Sequence, residues 1–148
     1  MSEQTINISK VIIQCAKKAA IEIFNVTDDK LTGESRERTI VWARRMCMKA
    51  IREETALSLQ SIANAFNKDH ATILHAIRQH DAMIDIKDKE YTATYSEFRR
   101  LFDKYKAFEL GDAYDRETMM VKRMNEIRDK IQSLAEEASM LINEYVGV

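Results

Sequence analysis

Residues 62–77 read IANAFNKDHATILHAI, and the spacing within this stretch decides the fold. Ile62 and Ala63 sit inside one short helix, where the small Ala63 lets a second helix approach closely. Asn67 falls at the turn, which needs a left-handed residue, and asparagine is the best non-glycine candidate for one. Asp69 is placed to cap the second helix, and Ile73, Leu74 and Ile77 recur so as to hold that helix on a core. The pattern is that of a helix-turn-helix. His70, Ala71, Thr72 and His75 are left facing outward near the start of the second helix, the part that enters a major groove when such a motif meets DNA. A plain helical hairpin is the alternative, and the basic helix that precedes the motif tells against it.

Working upstream, Ser58 caps the short helix of Leu59, Ile62, Ala63 and Phe66. Before it, Ser35 is the expected N-cap of a helix over 36–54, whose apolar positions include Ile40, Val41, Ala43, Met46, Cys47 and Ala50. The same helix carries Arg36, Arg38, Arg44, Arg45, Lys49 and Arg52; Arg45, Lys49 and Arg52 follow i, i+4, i+7 spacing and share a face. The segment NVTDDKLTG, 25–33, reads as a loop closed by Gly33. Ile8, Val11, Ile12, Cys15, Ala19 and Ile23 mark an amphipathic helix over 7–24. Charge follows the same division. Residues 31–80 carry eight basic side chains against five acidic, whereas 81–148 carry eleven against fifteen, so the positive field is concentrated in the middle of a chain whose formal net charge is -1. A uniformly basic binder is excluded; a basic patch is not.

Downstream, Tyr91, Tyr95, Phe98, Phe102, Tyr105 and Phe108 recur at helical spacing, which predicts a core-facing stripe rather than a base-stacking platform. Beyond them Met120, Met124, Ile127, Ile131, Leu134, Ala138, Leu141 and Tyr145 repeat in strict 4-3-4-3 order. This is a heptad seam, with Met124, Ile131, Ala138 and Tyr145 at a and Met120, Ile127, Leu134 and Leu141 at d. Three uses stay open: self-association, docking back on the N-terminal helix, and binding another protein through 117–146. In a parallel dimer Arg123 at g would meet Arg128 at e of the partner, so antiparallel or intramolecular pairing is favoured.

The remaining chemistry is sparse. With Pro 0 and Gly 3 among 148 residues, an all-α protein is expected. Cys15 and Cys47 form no CxxC and are expected as free thiols in a cytoplasm. His70, His75 and His80 are five apart, about 140° per step on a helix, so they do not converge on zinc. Glu53–Glu54 and Glu136–Glu137 are adjacent rather than convergent and read as solvated charge. Glycines 33, 111 and 147 form no phosphate-cradling loop. The expectation is no metal, no cofactor, no nucleotide, no membrane helix and no enzyme.

The run from FNVTDDKLTGESRER (24–38) through IVWARRM (40–46) to SLQSIANAFNKDHATILHA (58–76) resembles the C-terminal DNA-binding domain of the bacterial replication initiator DnaA. DHATILHA is close to that family's DH[ST]TVLHA, and the resemblance extends over about 7–108. It implies that Arg36, in the basic loop, enters the minor groove, and that Arg44, Arg45 and Arg52 face the duplex. It further implies that Asp69 accepts from a cytosine amine, His70 reaches base edges and Thr72 a phosphate. Arg38, Lys68 and Ala71 complete the expected DNA-binding set. Three positions depart from the family pattern: the turn before Asp69 is one residue shorter than GGRDH, Ala71 replaces a hydroxyl residue, and Gln60 stands where many members have proline.

The expected organisation is an N-terminal connecting helix (1–30), a DnaA-like helix-turn-helix domain (31–108) and a C-terminal heptad helix (112–148). The expected function is sequence-preferring binding of double-stranded DNA in replication initiation or transcription control, without the ATPase module. A cytoplasmic, nucleoid-associated setting follows from that reading, and a phage- or mobile-element origin would suit it. The rival is a protein-interaction adaptor that kept the fold and binds through its C-terminal helix.

Overall fold

The computed structural model describes residues 2–147, with side chains described over 8–111 and 119–147. Among these residues there are seven helices and no strand: α1 Ser2–Phe24, α2 Asp28–Thr32, α3 Arg38–Glu54, α4 Leu59–Ala65, α5 His70–Asp85, α6 Lys89–Leu110 and α7 Asp112–Tyr145. None is long and apolar enough to cross a membrane.

Local sequence chemistry accounts for most of the boundaries. Ser58 accepts from the Ser61 amide at 3.1 Å and caps α4; Asp69 accepts from the Thr72 amide at 2.8 Å and caps α5. Helix α4 ends in a Schellman turn: the Lys68 amide donates to the Ala63 carbonyl at 2.9 Å and the Asn67 amide to Asn64, with Asn67 left-handed at φ 56°. The same turn closes α5, with Lys87 at φ 56°. Asp88 then caps α6 by accepting from the Tyr91 amide at 2.8 Å.

Two expectations for 25–38 need correction. Residues 28–32 form a helical turn, α2, because Thr27 caps it and Asp28 and Asp29 occupy its first turn, where acidic groups favour the helix dipole. Five residues are too few for periodicity to register. Ser35 does not cap α3; its hydroxyl accepts from the Glu37 amide, and α3 starts at Arg38 after an N-cap Glu37 that makes no side-chain cap bond.

The core is built where α1 crosses α3. Ala16, Ala19 and Ala20 of α1 and Ala43, Cys47 and Ala50 of α3 are all fully buried, and their small size lets the two backbones approach. The Cys47 thiol donates to the Ala16 carbonyl at 3.3 Å, and burial pushes its pKa up. Ile62, Ala63 and Phe66 from the α4 region and Ile73 from α5 join this core, as do Tyr91, Phe98, Leu101 and Phe102 from α6. The connecting helix therefore shares one core with the helix-turn-helix. Lys17 of α1 binds the two together directly, donating to the Ala65 carbonyl at 2.9 Å. The aromatic stripe of α6 does face inward, except Phe108, which is 85% exposed.

A buried polar contact sits inside this apolar frame. His80 is 1% exposed, with Nδ1 and the Tyr91 hydroxyl 2.6 Å apart. Burial first, and then the Lys49 charge, push its pKa down to about 4, so the imidazole is neutral. Between pH 6.5 and about 4 the unfolded chain takes up a proton that the folded chain refuses. Stability should accordingly fall by about 2–3 kcal/mol as pH drops through that window. Thermal melts at pH 7 and 4.5 check this: His80→Gln should narrow the gap between them, and an unchanged gap would remove His80 as its source.

Candidate nucleic-acid interface

The outward face of α5 is made by its own periodicity. Ile73 is buried on one side, and His70, Ala71, Thr72, His75 and Arg78 are exposed on the other. Ala71, His75 and Arg78 follow i, i+4, i+7 spacing, a single stripe along the helix. His75 is exposed, because the helix turns it away from the core that holds Ile73. Arg78 was missed as a candidate, although its place seven residues after Ala71 could have located it.

At the start of the helix the capping bonds engage Asp69 and Thr72 with each other. The Thr72 amide and hydroxyl both donate to Asp69 Oδ1, each at 2.8 Å. They hold the Asp69 carboxyl below its ordinary range, so it is ionised at neutral pH. The Thr72 hydroxyl keeps lone pairs but its proton already has an acceptor. In this arrangement the hydroxyl oxygen is left to accept hydrogen bonds.

The basic residues do not form one uniform surface. Arg44 Nε donates to the Leu31 carbonyl at 2.9 Å, and its Nη2 donates to the carbonyls of Lys30 and Gly33 at 2.7 and 2.8 Å. Its Nη1 donates to the Ser35 carbonyl. The guanidinium thus ties four carbonyls of the α2 end and the following loop into one knot, and burial lowers its pKa. Lys68 Nζ, from the turn of the helix-turn-helix, donates to the same Gly33 carbonyl. A Cβ on Gly33 would lie 2.9 Å from the Asp29 carbonyl oxygen, so only glycine fits where these donors converge. Arg44 thereby holds the loop that carries Arg36, whose side chain is exposed.

Other cations are engaged too. Lys49 pairs with Asp81 at 2.9 Å, and Arg52 Nη1 donates to the Leu57 carbonyl at 3.0 Å. Arg45, Lys49 and Arg52 therefore do not act as one free row, because α5 packs against that side of α3. Arg38 lies 4.3 Å over the Trp42 ring and pairs with Glu90 at 2.8 Å, on an exposed flank. Arg45 is half-buried. What remains outward is Arg36 on the basic loop, with His70, Ala71, His75 and Arg78 along α5. Lys68 joins that loop to the start of α5. Among the described residues, no group of His, Cys, Asp or Glu is arranged to hold a metal ion.

Comparison with known proteins finds similar sequences. Residues 13–79 match the family model for the bacterial DnaA protein helix-turn-helix. The chain is 31% identical over 84 residues to the chromosomal replication initiator protein DnaA of Ehrlichia ruminantium (strain Gardel), covering 56% of this chain and 18% of that protein. It is 36% identical over 77 residues to the same-named protein of Deinococcus deserti, covering 52% of this chain and 17% of that protein. The matched segment spans less than a fifth of the length of these relatives. The family-model match begins at residue 13, inside α1, and ends at residue 79, inside α5.

Proposed function

We propose that this chain, whose residues 13–79 form a helix-turn-helix of the bacterial DnaA type, binds double-stranded DNA with sequence preference. On this reading α5 enters the major groove, with His70 and the Ala71 methyl at base edges and His75 and Arg78 following along the groove. Arg36 enters the adjacent minor groove, where narrow A·T tracts attract a cation. Asp69 accepts from a cytosine amine through the oxygen that Thr72 leaves unused. Arg38 and Arg45 flank the contact. Arg44, Lys68 and Arg52 act from beneath it, by holding the loop and the turn. The roles that suit such a module are replication initiation and transcription control.

The observation that carries the reading is the convergence on Gly33. Two cations from separate elements, Arg44 and Lys68, grip one carbonyl, which sets the Arg36 loop beside the start of α5. Two groove-reading parts of a protein need such a fixed relation.

Selection from random duplex DNA should return a defined site. On that site His70→Ala should cost about 1–3 kcal/mol of binding and flatten discrimination at one or two base pairs. Arg36→Ala should weaken binding most on A·T-flanked sites while leaving the melting temperature unchanged. Equal losses on selected and scrambled DNA for His70→Ala would remove α5 from the readout.

A further inference from the structure

Helix α7 leaves the domain early. Val121 is buried, and the Asn125 side chain donates to the Glu53 carbonyl at 2.8 Å. Residues 126–147 are exposed throughout. Met120, Met124, Ile127, Ile131, Leu134, Leu141 and Tyr145 of the heptad seam stand between 46% and 93% exposed. The seam therefore does not fold back on residues 8–23 of its own chain, and none of the described residues covers it. Residues 117 and 118 of the expected partner segment lie outside the residues whose side chains are described.

We infer that the occupant is a second copy of this chain, paired antiparallel along α7. Three observations select that occupant and direction. The first is register. In antiparallel pairing each a residue meets a d residue of the other helix. Centring the pair between residues 132 and 133 sets Met120 against Tyr145, Met124 against Leu141, Ile127 against Ala138 and Ile131 against Leu134. All eight seam residues are then used, and none is left over.

The second is volume. Three of those four layers place a small or flexible side chain against a larger one, and the fourth pairs Ile131 with Leu134, which match in size. Parallel pairing would instead stack Ala138 on Ala138 and Tyr145 on Tyr145, leaving a hole in one layer and crowding the other.

The third is charge. The g positions read Arg123, Lys130, Glu137, Glu144 along the helix, two cations followed by two anions. In the antiparallel register g faces g, so Arg123 meets Glu144 and Lys130 meets Glu137, four attractive pairs by symmetry. At the e positions Arg128 meets Ala135, with no like charges opposed, and Val121 is already taken up by its own domain. Parallel pairing would oppose Arg123 to Arg128 and gain no attractive pair. Among the described residues of one chain Lys130, Glu137 and Glu144 make no ion pair, and Arg123 reaches Glu126 only at 3.9 Å.

The two Val121 anchor points would lie 23 residues apart along the pair, about 35 Å at 1.5 Å per residue. On the DNA-binding reading, the two-fold axis would present the modules to inverted half-sites about one duplex turn apart. The pairing itself does not depend on that reading.

Single-cysteine variants test both occupant and direction, since Cys15 and Cys47 are buried. The full chain should sediment at twice its 17.2 kDa mass. Under mild oxidation a mixture of Met124→Cys and Leu141→Cys chains should cross-link to each other, while each variant alone should not, its two thiols being about 25 Å apart. Ile131→Asp with Leu134→Asp should sediment as a monomer and keep the wild-type melting of the domain. Self-cross-linking of Met124→Cys alone would overturn the direction. A wild-type chain at single mass with no cross-link in the mixture would overturn the pairing altogether.

Discussion

Glu54→Gln should lower the stability of the fold by about 3 kcal/mol, the cost of removing one of the carboxylates that face a buried ammonium. Glu54 is 7% exposed at the end of α3 and accepts from Arg99 at 2.6 Å and from Lys106 at 3.0 Å, both on α6. Lys106 is fully buried; its ammonium also reaches Asp103 at 3.1 Å and lies 4.1 Å from the Phe102 ring centre. Burial alone would raise the Glu54 pKa, but Lys106 and Arg99 outweigh it and the carboxyl is held below its ordinary range. The substitution keeps the shape of the side chain and removes only its charge. Chemical denaturation checks the magnitude, and Lys106→Met supplies the second half of a double-mutant cycle. The pair of substitutions together should cost clearly less than their sum. Additive losses would mean that the two side chains do not act as a unit.

Arg44→Ala should be the second severe variant, losing about 2–4 kcal/mol of stability and duplex affinity together. Four loop carbonyls lose charge-assisted donors at once, and Gly33 keeps only Lys68. Arg44→Lys should rescue little, because a point-charge ammonium cannot reach carbonyls spread around a planar fork. Arg36→Ala supplies the contrast, since an exposed side chain should cost affinity alone. Melting temperature and duplex binding measured on the same three variants separate the roles. An Arg44→Ala protein that melts with the wild type but binds weakly would return Arg44 to the contact surface.

The helix-turn-helix was legible because its chemistry is local. Ser58, Asn67 and Asp69 each act within three residues of their own position, so a cap or a left-handed turn shows in the sequence itself. The stripe of His70, Ala71 and His75 was legible for the same reason, as the complement of Ile73 and Ile77. The duty of each arginine was not legible. Arg44 reaches carbonyls 9 to 14 residues away, and those depend on α2, a helix too short for periodicity to reveal. Lys49 and Arg52 look like members of a solvated row until α5 and the α3–α4 connection pack beside them. Glu54, in an adjacent pair of acids, reads as solvated charge, yet its partners lie 45 and more positions on. The heptad seam was plain in the sequence, whereas its freedom from α1 needed the path of α7.

Equilibrium binding of the full chain to duplex DNA across a range of salt concentrations tests the central claim most directly. Arg36, Arg45 and Arg78 are the cations left available to phosphates once Arg44, Lys49 and Arg52 are engaged within the fold. Log affinity should therefore fall against log salt with a slope of about -3 for each module bound. Failure to bind any duplex at low salt, by a chain that is folded, would contradict it.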